Sequence, residues 1–153
     1  RVLFRSIAEV RGFSTTTAVH RMETEDMACA AVRYANGAYG TIDATTAAYP
    51  GFPERIEIIG TEATASLAGT ELKVARHDGT TVTVSPDASG GGTGADPMDF
   101  PHDYHRNVLT DFVDAVEQGR SPRVSGEEAL KVHRLIDALL EAGATGRTVK
   151  VAG

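Results

Sequence analysis

The dipeptide Asn36-Gly37 stands between two runs of strand-forming residues, 26–35 and 38–48, and no other feature limits the fold of this chain as much. A tight hairpin needs left-handed backbone at its turn, and Asn-Gly supplies it most readily. Two antiparallel neighbours therefore follow each other directly in the chain. A two-residue loop pairs Ala35 with Ala38 and sets Tyr34 opposite Tyr39 as a cross-strand aromatic pair. The strand 26–35 is apolar on both faces. Met27, Cys29 and Ala31 point one way; Ala28, Ala30 and Val32 point the other. A sheet with one wet face alternates. One face is therefore expected to meet the domain's own helices, and the other a further domain or subunit.

The other segments extend this sheet. Residues 7–20 are rich in Val, Thr and Phe without a helical period. After the loop Tyr49-Pro50-Gly51-Phe52-Pro53, residues 55–60 alternate, and a short strand follows at 63–68. Residues 70–76 and 80–85 form a second hairpin around His77-Asp78-Gly79. A three-residue loop there opposes Leu72 to Val84 and Val74 to Val82. Register follows the apolar face, so that loop is expected, with Gly79 left-handed. Residues 86–101 read as a long loop of the kind that is functional or mobile. Two helices follow. The first, 102–118, places His105, Leu109, Phe112 and Val116 on one stripe and stops at Gly119. The second opens on the capping box Ser125-Gly126-Glu127-Glu128, carries Ala129, Val132, Ile136 and Leu140 on one stripe, and ends near Gly143. Residues 147–151 form a last strand. The expected fold class is α+β: an open, predominantly antiparallel sheet with two C-terminal helices packed on one face.

Composition narrows the function. The chain has 153 residues, 41% apolar and 24% charged, which suits one globular domain. Its net charge of -6 argues against nonspecific nucleic-acid binding. No apolar run approaches the roughly 18 residues that span a bilayer, so no membrane partner is expected. Cys29 is the single cysteine, which excludes an intrachain disulfide and makes a reducing, cytoplasmic location the expectation. Arginine far outnumbers lysine, as in GC-rich bacterial coding. Residues 1–6 read as a non-native scar, leaving 7–153 as the domain, with an N-terminal part expected outside this chain.

Three stretches carry a family resemblance. They are EDMACAAVRYANGAYGTIDATT (25–46), PGFPERIEIIGTEATASLAG (50–69) and HRNVLTDFVDAVEQGRSPRVSGEEALKVHRLIDALLEAGATGRTVKV (105–151). In this order and spacing the chain resembles the C-terminal domain of the glucose-fructose oxidoreductase / inositol dehydrogenase / rhizopine-catabolism family (GFO/IDH/MocA). The resemblance implies a truncated bacterial NAD(P)-dependent oxidoreductase acting by hydride transfer on a sugar, cyclitol or related polyol. It implies an N-terminal Rossmann domain that binds NAD or NADP and holds the catalytic Lys and His. The fragment alone is then inactive, and the present chain supplies the substrate-side wall and the subunit interface of a homo-oligomer joined through the open sheet face. No catalytic, cofactor or metal residue is assigned here. The glycines at 90–94 lack the strand-turn-helix context of a dinucleotide loop.

Candidate substrate-binding residues are His105, His102 and Tyr104. His105 matches the family's cleft-facing His or Tyr seven residues before the helix phenylalanine, here Phe112. A neutral imidazole or phenol can donate to and accept from substrate hydroxyls. Two other readings compete. His102 and His105 stand at i, i+3, with Asp96 and Asp99 upstream, as a metal site would require, and that reading makes the chain a small metal-dependent hydrolase. Alternatively these are ordinary helix-start groups, and the domain is a noncatalytic binding or assembly module. His133 is expected to be a partly buried packing residue, His20 and His77 to be solvated, and Cys29 to be a buried inert thiol. The loop from Tyr49 to Arg55 either borders a cleft or subunit contact or is a plain connection.

Overall fold

The structure is a computed structural model that describes residues 6–85 and 102–152. The expected long loop at 86–101, with Asp96 and Asp99, lies outside the described residues. The elements in chain order are β1 (Ile7–Thr15), β2 (Met27–Tyr34), β3 (Tyr39–Thr45), β4 (Arg55–Ile59), β5 (Ala63–Ala68), β6 (Glu71–Arg76), β7 (Thr81–Val84), α1 (Asp103–Gln118), α2 (Gly126–Thr145) and β8 (Val149–Lys150). The fold class is α+β, with antiparallel pairing throughout and both helices near the C-terminus. The strands are shared between two four-stranded sheets, ordered β3-β2-β1-β8 and β4-β5-β6-β7. Pro50 and Pro53 lie between β3 and β4, where residues without an amide proton cannot continue a ladder. The described residues fall into two compact units, 6–47 with 105–152, and 48–85 with 102–104.

In the first unit, α2 lies on one face of the sheet. Val10 of β1, Ala28, Ala30 and Val32 of β2, and Ala138, Leu139 and Ala142 of α2 form its core. Of the two faces of β2, the one bearing Ala28, Ala30 and Val32 is the buried one. The helix stripe differs from the sequence expectation. Val132 and Ile136 are exposed, and His133, expected to pack, is exposed as well. The sheet selects the neighbouring stripe because it is lined with small residues, which let helix and sheet approach closely. Gly143 marks the limit of that approach. A Cβ there would fall on the Ser14 hydroxyl, 3.0 Å from the Ser14 nitrogen. So α2 does not end at Gly143. It runs to Thr145 and is capped by Gly146, whose amide donates to the Ala142 carbonyl at 2.9 Å. At its start, the Ser125 hydroxyl accepts from the Glu128 amide at 3.3 Å, as a capping box requires.

The α1 stripe also differs. Leu109, Phe112 and Val116 are exposed, and Ala115 is the buried residue of this helix. Gly119 ends the helix, as its position suggested, and the Arg120 amide donates to the Ala115 carbonyl at 3.0 Å. Asp111 clasps the link to α2, accepting from Arg120 Nη2 at 2.9 Å and the Arg123 amide at 2.7 Å.

The two hairpins share one turn design. In the second, Leu72 pairs with Val84 and Val74 with Val82, with Gly79 at φ 88°, as expected. In the first, Arg33 pairs with Tyr39, so Tyr34 does not face Tyr39. The loop has three residues, 35–37. The Tyr34 amide donates to the Ala38 carbonyl at 2.8 Å, and only Gly37 is left-handed, at φ 87°. The cause is register. A two-residue loop would set Asp43 opposite Ala30 on the core face, whereas the observed pairing sets Ile42 there.

The second unit has no such core. Ile56, Ile58, Leu67, Leu72, Val74, Val82 and Val84 share one face of its sheet, and none of them is buried.

Gly143→Ala should lower stability by about 1–3 kcal/mol through overpacking against Ser14. A melting curve checks this. Adding Ser14→Gly should recover part of the loss, because it removes the hydroxyl and Cβ that the new methyl group meets and leaves only the backbone nitrogen.

Candidate functional site

His102 precedes α1, and Tyr104 and His105 lie in its first turn. This turn starts on Asp103, whose charge suits a helix N-terminus. His102, Tyr104 and His105 are all exposed. His105 continues the α1 stripe toward the N-terminus. It is open to solvent because the stripe it continues, Leu109 to Val116, is itself uncovered. The three candidates are neighbours in the chain, and each side chain can donate and accept hydrogen bonds. Among the described residues, no group of three His, Cys, Asp or Glu side chains is placed to hold a metal ion.

The most constrained polar group lies elsewhere. Asp26, just before β2, is the one buried charged residue among those described. Its carboxylate accepts from the Thr17 amide and the Thr17 hydroxyl, both at 2.7 Å, and pairs with His20 Nδ1 at 2.9 Å. The Asp26 backbone carbonyl accepts from the Thr46 amide at 3.0 Å and the Thr45 hydroxyl at 2.9 Å, and its amide donates to Thr15 at 3.1 Å. One residue thus ties the ends of β1, β2 and β3. The Thr17 amide, then the Thr17 hydroxyl and His20, hold the Asp26 carboxyl below the ordinary carboxylate range. His20 is therefore a partner of Asp26 and not a purely solvated residue. The sequence offered only a weak signal for this cluster, an acid before an apolar run and a threonine-rich stretch nine residues upstream. His77 is exposed, with Nε2 3.4 Å from the Gly60 carbonyl.

Cys29 is half-buried on the sheet face opposite α2. Tyr49 is 92% exposed and Phe52 71% exposed in the loop before β4. A pyrophosphate needs uncommitted amides and a glycine turn. Here Asp103 opens α1, while α2 opens on Glu127 and Glu128, with the Glu128 amide taken by Ser125. No described helix is long and apolar enough to cross a membrane.

The model of the oxidoreductase family, C-terminal alpha/beta domain, matches residues 5–151. The D-apiose dehydrogenase of Rhizobium rhizogenes is 31% identical over 140 residues, covering 86% of this chain and 39% of that protein. Among solved structures, an oxidoreductase from Agrobacterium radiobacter in complex with NAD+, L-tartaric acid and magnesium superposes with a TM-score of 0.78 at 24% identity, over 95% of this chain and 44% of the other. Levoglucosan dehydrogenase in complex with NADH and levoglucosan superposes with a TM-score of 0.78 at 23% identity, over 97% and 45%. The chain spans less than half the length of each of these proteins.

Folding stability should fall as acid neutralises Asp26. Its carboxyl is depressed in the fold, so its contribution is fully present above the ordinary carboxylate range and is lost as pH falls through the lower, folded value. Urea melts between pH 7 and 3 should show a shallower acid loss for Asp26→Asn than for the unaltered chain. Equal slopes would show that Asp26 carries no such linkage.

Proposed function

The chain belongs to the GFO/IDH/MocA oxidoreductases as their C-terminal α/β domain, and from that premise we propose that it forms the substrate-side wall of an NAD(P)-dependent dehydrogenase acting on a sugar, cyclitol or related polyol. The family match over residues 5–151 carries this reading, and the identity to a D-apiose dehydrogenase supports the substrate class. The dinucleotide belongs to a Rossmann domain outside the described residues, since neither described helix start suits its phosphates. A cytoplasmic location and self-association through the open face of the first sheet complete the proposal. That face exposes Phe13, Met27 and Tyr39 to water.

This chain's contribution is binding and orientation. His105, with His102 and Tyr104 beside it, hydrogen-bonds substrate hydroxyls. The imidazole accepts through its unprotonated nitrogen or donates through the other, which fixes the polyol without moving its proton. Exposure of the cluster suits a wall that closes only when substrate lies against it.

Two measurements test the proposal. Fluorescence titration of NADH against this polypeptide should show no saturable micromolar binding; saturation would place cofactor contacts within the chain. In the complete enzyme, His105→Ala should lower kcat/KM by roughly ten- to a hundredfold, the loss of a polar contact of about 1.5–3 kcal/mol. Cofactor affinity and melting temperature should stay unchanged, because His105 is exposed. Unchanged kinetics would remove His105 from the substrate wall.

A further inference from the structure

The excursion from β1 to β2, residues 16–25, lies in no helix or strand. Its base is closed by the sheet, because Thr15 pairs with Met27 and the Asp26 amide donates to the Thr15 carbonyl at 3.1 Å. Two of its hydrogen bonds stay inside it. Thr16 Oγ1 donates to the Thr24 carbonyl at 2.7 Å, and the Val19 amide to Thr17 Oγ1 at 3.3 Å. Apart from a contact between the chain neighbours Thr15 and Thr16, the bonds that leave it all end on one carboxylate. These are the Thr17 amide, the Thr17 hydroxyl and His20 Nδ1 on Asp26. Burial follows the same pattern. Thr17 and His20 are half-buried, and every other residue of the excursion is exposed, Val19 and Met22 included. The core under α2 contains none of them.

We infer that residues 16–25 form a strap that opens and closes as a unit over an intact sheet, with the Asp26 carboxylate as its latch. Lifting the strap uncovers almost no apolar surface. Its cost is the exchange of the bonds on one carboxylate for bonds to water, and segments of this kind open locally. Separating β1 from β2 is a different event, since it breaks their ladder and uncovers Val10 and Val32. The two halves of Asp26 therefore belong to different structures. Its backbone stays in the sheet, joined to Thr15 and Thr46, whether or not its side chain holds the strap. The bond from Thr16 to Thr24 keeps the strap folded on itself, so its residues move together. In the closed state the carboxylate is covered; in the open state it is a solvated anion at the end of β2.

Two measurements on the chain test this. In residue-resolved amide exchange, the Thr17 amide should exchange at a rate that low urea concentrations leave unchanged, because its opening exposes little surface. The protected amides of β2 should exchange more slowly and accelerate with urea. A Thr17 amide that shares their rate and urea dependence overturns the strap, and this comparison needs no variant to fold. The second measurement follows trypsin cleavage bond by bond by mass spectrometry. Asp26→Ala keeps the backbone bonds and removes the latch. It should speed cleavage after Arg21, within the strap, by about tenfold or more, and leave cleavage after Arg33, within β2, within about twofold of the original. Equal acceleration at both bonds would show that the carboxylate supports the whole sheet and overturns its role as a latch. Unchanged cleavage after Arg21 overturns it as well.

Discussion

The close seat of α2 on β1 and β2 is the contact on which the described core depends. Val10 and Ala142, both essentially inaccessible to solvent, share this core with Ala28, Ala30, Ala138 and Leu139. Most of these side chains are small. The contact therefore gains stability from short separation and high packing density rather than from large buried surfaces. Such an interface tolerates little added volume, and Gly143 against Ser14 shows where the tolerance ends. It also dictates the rest of the sheet. Once Val10 and Val32 face the helix, the opposite face must carry Phe13, Met27 and Tyr39 outward.

Asp26 does for the strand ends what α2 does for the middle. A buried carboxylate is costly unless its oxygens are satisfied. Here they accept from the Thr17 amide, the Thr17 hydroxyl and His20. The backbone of the same residue joins Thr15 to Thr45 and Thr46. The excursion between β1 and β2 is thereby anchored without any large apolar side chain, which is consistent with exposure of Val19 and Met22 along it.

The sequence was most informative where one chemical requirement dominated. Gly79 and the apolar faces of β6 and β7 specified the second hairpin, and Ser125 and Gly119 marked helix ends through capping chemistry alone. It misled where two requirements competed. At Asn36-Gly37 the turn preference favoured two residues, but the need to keep Asp43 off the core face imposed three. In α2 the larger residues Val132 and Ile136 suggested the buried stripe, but close packing chose alanines one step around the helix. The candidate cluster at His102, Tyr104 and His105 was legible as a grouping because the three are neighbours in the chain. Its exposure was not, since that depends on what covers α1. The Asp26–His20 pair was missed because its partners meet only through a loop with no periodic pattern.

The two units differ in what they leave uncovered. The first buries one sheet face under α2; the second presents a continuous apolar face, with no buried apolar residue among those described. A four-stranded sheet without a covering layer is marginal in water. The α1 stripe of Leu109, Phe112 and Val116 is open in the same way, and it starts one turn beyond His105. Covering such an exposed apolar stripe is favourable, because it removes the side chains from water.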